Sequence, residues 1–296
     1  MNHHLLPPLV TALVSGGLAP ALLARSAWTQ HAPRLAATAW AALGVLFTGA
    51  AGAMLSQLLL PSPTGHFLLS LLAACRPWTG DSADAGLVLV VMAALVAPLA
   101  TAVTRSIRSS RRRRHRHAST LHLVGRRVRG IPATVLDHDS PVAYCLPGRS
   151  PQVVVTSGAL RTLTRPQLSA VLAHEWAHIK GRHHLPVAAA EAFGAVLGPL
   201  PLARHMRAQV PFLMELAADD RTLRRCSPEA LAAALYVMAA GRAPRETLAA
   251  GGPSAALRIR RLVGPRGPQH PVVRGLFWLF VWAAPAVPLL LACCSL

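Results

Sequence analysis

Four long apolar stretches set the first constraint on this chain. Leu5 to Leu23, Leu35 to Leu60, Gly86 to Val103 and Val272 to Cys294 are each long enough, or nearly so, to cross a bilayer, and the only charge inside them is Arg274 near the edge of the last. With 53% hydrophobic and 14% charged residues and a mean hydropathy of +0.41, the composition excludes an ordinary soluble protein. The first stretch lacks a charged leader and a small-residue cleavage site, so it reads as a retained span and not a signal peptide. Phe67 to Ala74 reads as a shorter packed or re-entrant piece. Leu185 to Leu202, interrupted by Glu191 and several Pro and Gly, reads as a hydrophobic hairpin at or in the membrane.

Charge then orients the chain. Net charge is +19, and a basic run from Arg105 to His117, including Arg111 to Arg114, directly follows the third stretch. Arginine bias places that run inside the cell, with the loop holding Arg25 and Arg34, while Asp81 and Asp84 fall outside. Arg258, Arg260, Arg261 and Arg266 again lie inside before the last stretch. The expected organisation is a transmembrane region at 1–104 of about three spans, a cytoplasmic domain at 105–271 and a final span at 272–296. No external sensor domain is expected after Leu296. At the juxtamembrane position the basic run suits anionic lipid. Nucleic acid is not favoured as a partner, because neither a recognition helix nor an aromatic-interleaved basic patch accompanies it. The cysteines, Cys75, Cys145, Cys226, Cys293 and Cys294, form no CxxC pair and no disulfide framework.

Within the cytoplasmic segment, His174-Glu175-Trp176-Ala177-His178 carries chemistry. H-E-x-x-H on a helix sets two imidazoles one turn apart beside a carboxylate, the minimum kit for a zinc hydrolase. Thr164-Arg165-Pro166-Gln167 predicts a capped helix start, Leu168, Val171 and Leu172 an apolar face, and Gly181 the helix end. Catalytic zinc keeps three protein ligands and an open position. Glu215 is one candidate for the third, with Asp219 on the same helix face to receive a histidine N–H. His184 is the other: with Gly181 it fits the metzincin spacing H-E-x-x-H-x-x-G-x-x-H, although neither Met206 nor Met214 makes an evident Met-turn. His183, His184 and Arg221 are candidate oxyanion partners or alternative ligands.

Tyr144-Cys145-Leu146-Pro147-Gly148, Val153 to Leu160 and Leu168 to Glu175 together resemble the integral-membrane gluzincin metallopeptidases. The two most similar types are the antibiotic-sensing BlaR/MecR type, which the membrane layout favours, and the HtpX/CAAX-prenyl-protease type, whose H-E-x-x-H-x-x-x-x-H extension His183 matches. The resemblance covers residues 130 to 225 and implies H-E-x-x-H with a downstream E-x-x-x-D, matched by Glu215 and Asp219. The fold class expected is an α-helical multi-pass membrane protein with an inserted, mainly helical α+β zincin-like zinc-peptidase domain. Ile131 to Thr156 reads as two or three strands, with Val153 to Val155 as the candidate edge strand for an extended substrate, or else a plain core strand.

The expected function is a membrane-embedded endopeptidase of the cell membrane using one Zn2+ per chain, cutting a protein or peptide substrate on the cytoplasmic side. Glu175 would be its general base and His174, His178 and Glu215 its ligands. A non-catalytic membrane regulator or scaffold with a structural zinc site is the alternative.

Overall fold

In a computed structural model, residues 6–59, 82–148, 150–240 and 252–264 are described, together with Gly275 and Leu279. The apolar piece at 67–74 and all but two residues of 272–294 lie outside the described residues. The chain divides into two compact units: Met1–Arg105 with Ala189–Val210 and Gln269–Leu296, and Ser106–Ala188 with Pro211–Pro268.

The first unit is helical. Helix α1 (Leu6–Arg25), with a π-helical turn at Val14–Leu18, and the first 23 residues of α3 (Pro33–Leu59) are long and apolar enough to cross a membrane. The short α2 (Trp28–His31) joins them. Leu13, Leu18 and Leu22 point outward from α1, while Trp40 of α3 is 1% exposed. Polar side chains in these helices satisfy themselves locally: Ser15 Oγ donates to the Thr11 carbonyl at 2.6 Å and Thr48 Oγ1 to that of Gly44 at 2.8 Å. A hydroxyl on an apolar helix otherwise leaves its hydrogen-bonding capacity unmet. The segment Gly86 to Val103 forms the first part of α4 (Ser82–Val124), which tolerates Pro98 internally and continues through the basic run.

The second unit holds a four-stranded sheet of order β1-β2-β4-β3, built from β1 (Arg126–Arg127), β2 (Thr134–Leu136), β3 (Ala143–Leu146) and β4 (Gln152–Thr156). β2 and β4 run parallel; the outer pairs are antiparallel. Val153 to Val155, considered as an edge strand, are instead the interior of the sheet, each 0% exposed. Three consecutive β-branched residues suit burial on both faces. The strand edge that lies open in the ladder beyond β4 is β3.

Helices α5 (Ser157–Thr162), α6 (Arg165–Gly181) and α9 (Pro228–Ala240) cover one sheet face through Val135, Ala143, Val155, Ala159, Val171, Ala234 and Met238. Leu121 of α4 packs with Leu146 and Val154 on the other. The hydrophobic stretch after the motif forms α7 (His184–Leu197), a short turn and the start of α8 (Pro201–Thr222), a helical hairpin with Glu191 exposed. A last helix, α10 (Gly252–Val263), packs Leu262 against Ala170, Leu231 and Ala232.

Gly158 opens α5 where the chain crosses the loop before β3: its N–H donates to the His138 carbonyl at 2.9 Å, and a Cβ there would run into the Asp139 backbone carbonyl. Backbone cannot yield as a side-chain tip can. Gly158→Ala is therefore expected to destabilise the chain by about 1–3 kcal/mol, read from its denaturation midpoint, whereas Gly148→Ala, with open space around it, should leave the midpoint unchanged.

Candidate metal centre

Helix α6 begins as its sequence predicts, with Thr164 and Gln167 forming a capping box in which the Gln167 side-chain oxygen accepts the Thr164 N–H at 2.9 Å. It also ends at Gly181 as expected, although the left-handed residue is the next one, Arg182, at φ 50°. Gly181 is needed for another reason: a Cβ there would collide with the imidazole of His183, which is 4% exposed and folds back over the helix end. The absent side chain makes room for that ring.

His174 and His178 present their Nε2 atoms to each other at 3.1 Å. Glu215 of α8 meets both, with Oε2 at 3.4 Å from His174 Nε2 and Oε1 at 3.4 Å from His178 Nε2. One ligand atom from each of the three lies within 4.8 Å of the others, a group that could hold a metal ion. The spacing fits zinc: ligand atoms at about 2.0–2.1 Å around a tetrahedral ion stand about 3.3–3.4 Å apart. Among the described residues this is the metal-competent cluster, and His184 is not part of it.

The outer nitrogens are occupied by a second layer of groups. His174 Nδ1 lies 3.1 Å from Asp219 Oδ1, an ion-pair distance without hydrogen-bond alignment. His178 Nδ1 lies 3.1 Å from His183 Nδ1. Each imidazole is thus fixed from behind with Nε2 facing the cluster. His183 accordingly sits behind His178, and Arg221 lines a separate cavity with Trp176 and Lys180.

Arg258 of α10 completes the arrangement, and nothing about its sequence position marked it as more than one basic residue among many. Its Nε and Nη2 donate to the two oxygens of Asp219 at 2.8 and 2.7 Å, and its Nη1 donates to Glu215 Oε2 at 2.8 Å. Asp219 is 0% exposed and Arg258 9%, so this is a buried pair with a bidentate geometry that only a guanidinium supplies. The usable clue was Asp219 itself: a buried carboxylate requires a cation.

Burial opposes charge on His174, but the adjoining Asp219 and Glu215 carboxylates outweigh it and raise its pKa to about 9. Burial, then the neighbouring His174 charge, lowers His178 to about 4. Burial opposes ionisation of Glu215 too, yet His174 and Arg258 hold it at about 2. Cys145 of β3 is pushed up to about 12 by burial and by the Glu175 carboxylate, with which its thiol is hydrogen-bonded. Glu175 therefore lies beside β3.

Of the two motif histidines, His174 is the one that holds a proton at neutral pH for a metal to displace. Zinc affinity is expected to tighten about tenfold per pH unit between about 7 and 8.5, measured by competition with a chelator; a flat profile would contradict the assignment. The same raised pKa stabilises the metal-free fold fully below the ordinary histidine value, and that contribution is lost as pH rises through about 9. Arg258→Ala strands the buried Asp219 charge and should cost about 3–5 kcal/mol, read from denaturation midpoints. Arg258→Lys should recover only part of it, because an ammonium cannot make the paired contact.

The sequence profile of peptidase family M48 matches residues 110–265. No curated protein and no solved structure matches the chain. The members of that family are typically zinc-dependent metallopeptidases, in keeping with a His/His/Glu group able to take a metal. The matched span takes in every residue of the site, from Cys145 to Arg258, and more than half of the 296 residues, so this chain is a member of peptidase family M48.

Proposed function

We propose that the chain is a membrane-embedded, zinc-dependent endopeptidase with Glu175 as general base and His174, His178 and Glu215 as the metal ligands. The observation that carries this reading is the convergence of those three ligands at tetrahedral spacing beside a carboxylate that is not one of them. When bound, zinc supplies Lewis acidity, polarising a carbonyl oxygen and acidifying water. Glu175 takes the proton of the attacking water and returns it to the leaving amine, a transfer that needs a carboxylate within reach of the metal but free of it. Asp219 holds His174 in the orientation that points Nε2 at the metal, and Arg258 keeps Glu215 ionised and directed inward.

Substrate positioning follows from β3. An extended peptide adding to this edge would lie along the Cys145–Glu175 contact, with its backbone paired to the strand and its scissile bond near the base. Of the two membrane-peptidase types that the chain resembles, the HtpX/CAAX-prenyl-protease type is supported by the packing of His183 on His178. The two apolar helices of the first unit, with leucines facing outward, support insertion in a membrane. Arginine bias supports a multi-pass layout with the second unit on the cytoplasmic side, its basic helix segment facing anionic lipid. The substrate is a cytoplasmic or membrane protein.

Comparing membrane proteomes of cells carrying wild-type chain and Glu175→Gln should reveal new protein termini only with the wild type. Glu175→Gln should retain zinc and lose about 10²–10⁴-fold in cleavage rate. Unchanged cleavage by a zinc-loaded Glu175→Gln protein would exclude the general-base role, and loss of zinc from His184→Ala but not from Glu215→Ala would exclude Glu215 as ligand.

A further inference from the structure

Beside the metal centre, but outside it, a cavity of about 430 Å³ opens between α6 and the end of α8. Trp176 and Lys180 line it from α6, and Arg221, Arg224 and Arg225 from the C-terminal end of α8 and the turn after it. Ala173 and Ala177 are the small residues that leave the space open. On α6 these positions recur at i, i+3, i+4 and i+7, a stripe adjacent to the one bearing His174 and His178.

Four cations lining one concavity with no acid among them is an arrangement that repels itself. The nearby carboxylates are committed elsewhere: Asp219 and Glu215 to Arg258, and Asp220 to Arg261 at 2.6 Å. Among the described residues none of the four cations forms an ion pair. A helix C-terminus attracts a cation near its last carbonyls, which accounts for Arg221. It does not account for Lys180, which reaches the same space from a different helix. Three guanidinium forks and an ammonium supply more donors than one carboxylate can use, and guanidinium geometry matches the oxygens of phosphate. The volume is that of a small-molecule site.

We propose that this cavity binds a phosphate-bearing anion, either a soluble phosphate ester or the phosphate of an anionic lipid headgroup. The ligand bridges α6 to α8 and cancels the repulsion between Lys180 and the three arginines. These are the two helices that also supply His174, His178 and Glu215, so anion and metal binding favour the same helix pair and each strengthens the other. The basic segment of α4 is a separate feature and takes no part.

The test is calorimetric titration of the zinc-loaded full chain in neutral detergent with glycerol 3-phosphate, with dihexanoyl phosphatidylglycerol and, as control, with dihexanoyl phosphatidylcholine. A saturable site is expected, weakened at least about tenfold in Arg224→Gln/Arg225→Gln. It should be weakened also in Lys180→Gln and unchanged in Arg111→Gln/Arg112→Gln/Arg113→Gln. Binding of both anionic probes supports the shared phosphate chemistry. Binding of glycerol 3-phosphate alone identifies a soluble ligand, and of phosphatidylglycerol alone a headgroup. Arg224, Arg225 and Lys180 are exposed, so the variants should melt as the wild type does. No saturable heat with either anion, or equal affinity in Arg224→Gln/Arg225→Gln, overturns the proposal. None of these readouts depends on proteolysis, so Glu175→Gln should bind the anion like wild type.

Discussion

The buried pair of Asp219 and Arg258 is the interaction on which the second unit's chemistry rests. A carboxylate with no solvent exposure is costly unless its charge is met at close range, and Arg258 meets both oxygens at 2.7 and 2.8 Å. The same pair ties α8 to α10, and Asp219 Oδ1, while accepting from Arg258, also lies 3.1 Å from His174 Nδ1 on α6. Three helices distant in sequence are thereby fixed around one charge. Glu215, one turn before Asp219 on α8, is carried into reach of both motif histidines as a consequence.

This electrostatic knot also separates the roles of neighbouring groups. His174 is driven toward its charged form and His178 toward its neutral one, although they are one turn apart on the same helix. The Asp219 and Glu215 carboxylates hold His174 charged against its burial, whereas burial and the His174 charge keep His178 neutral; behind His174 stands Asp219, and behind His178 stands the imidazole of His183. Gly181 makes the second arrangement possible, because any side chain there would displace the His183 ring. The cost of this helix end is an arginine, Arg182, in the left-handed region.

Packing sets the remaining geometry. The sheet is thin, and α4 on one face with α5, α6 and α9 on the other buries β4, whose Val153 to Val155 have no exposed surface, between β2 and the edge strand β3. Because Cys145 of β3 touches Glu175, that edge and the carboxylate share one surface. The basic cavity lies along the next stripe of α6, so the motif helix serves two neighbouring sites by periodicity alone.

What the sequence determined is what depends on local periodicity. The capping box, the pairing of His174 with His178, the i,i+4 relation of Glu215 to Asp219, and helices long and apolar enough to cross a membrane at the first two of the four apolar stretches follow from spacing along single helices, and the structure shows these. Gly181 and Val153 to Val155 were legible only in part. Their residue types were informative, but that Gly181 also clears space for the His183 ring depends on how the chain turns back after the helix, and whether a β-branched run is edge or core depends on strands remote in sequence. Arg258 was not legible at all, since its partner is 39 residues away and one arginine in a basic chain looks like another. Only the tertiary structure could decide it, because the desolvation that makes Asp219 require a cation exists only after α8 is buried.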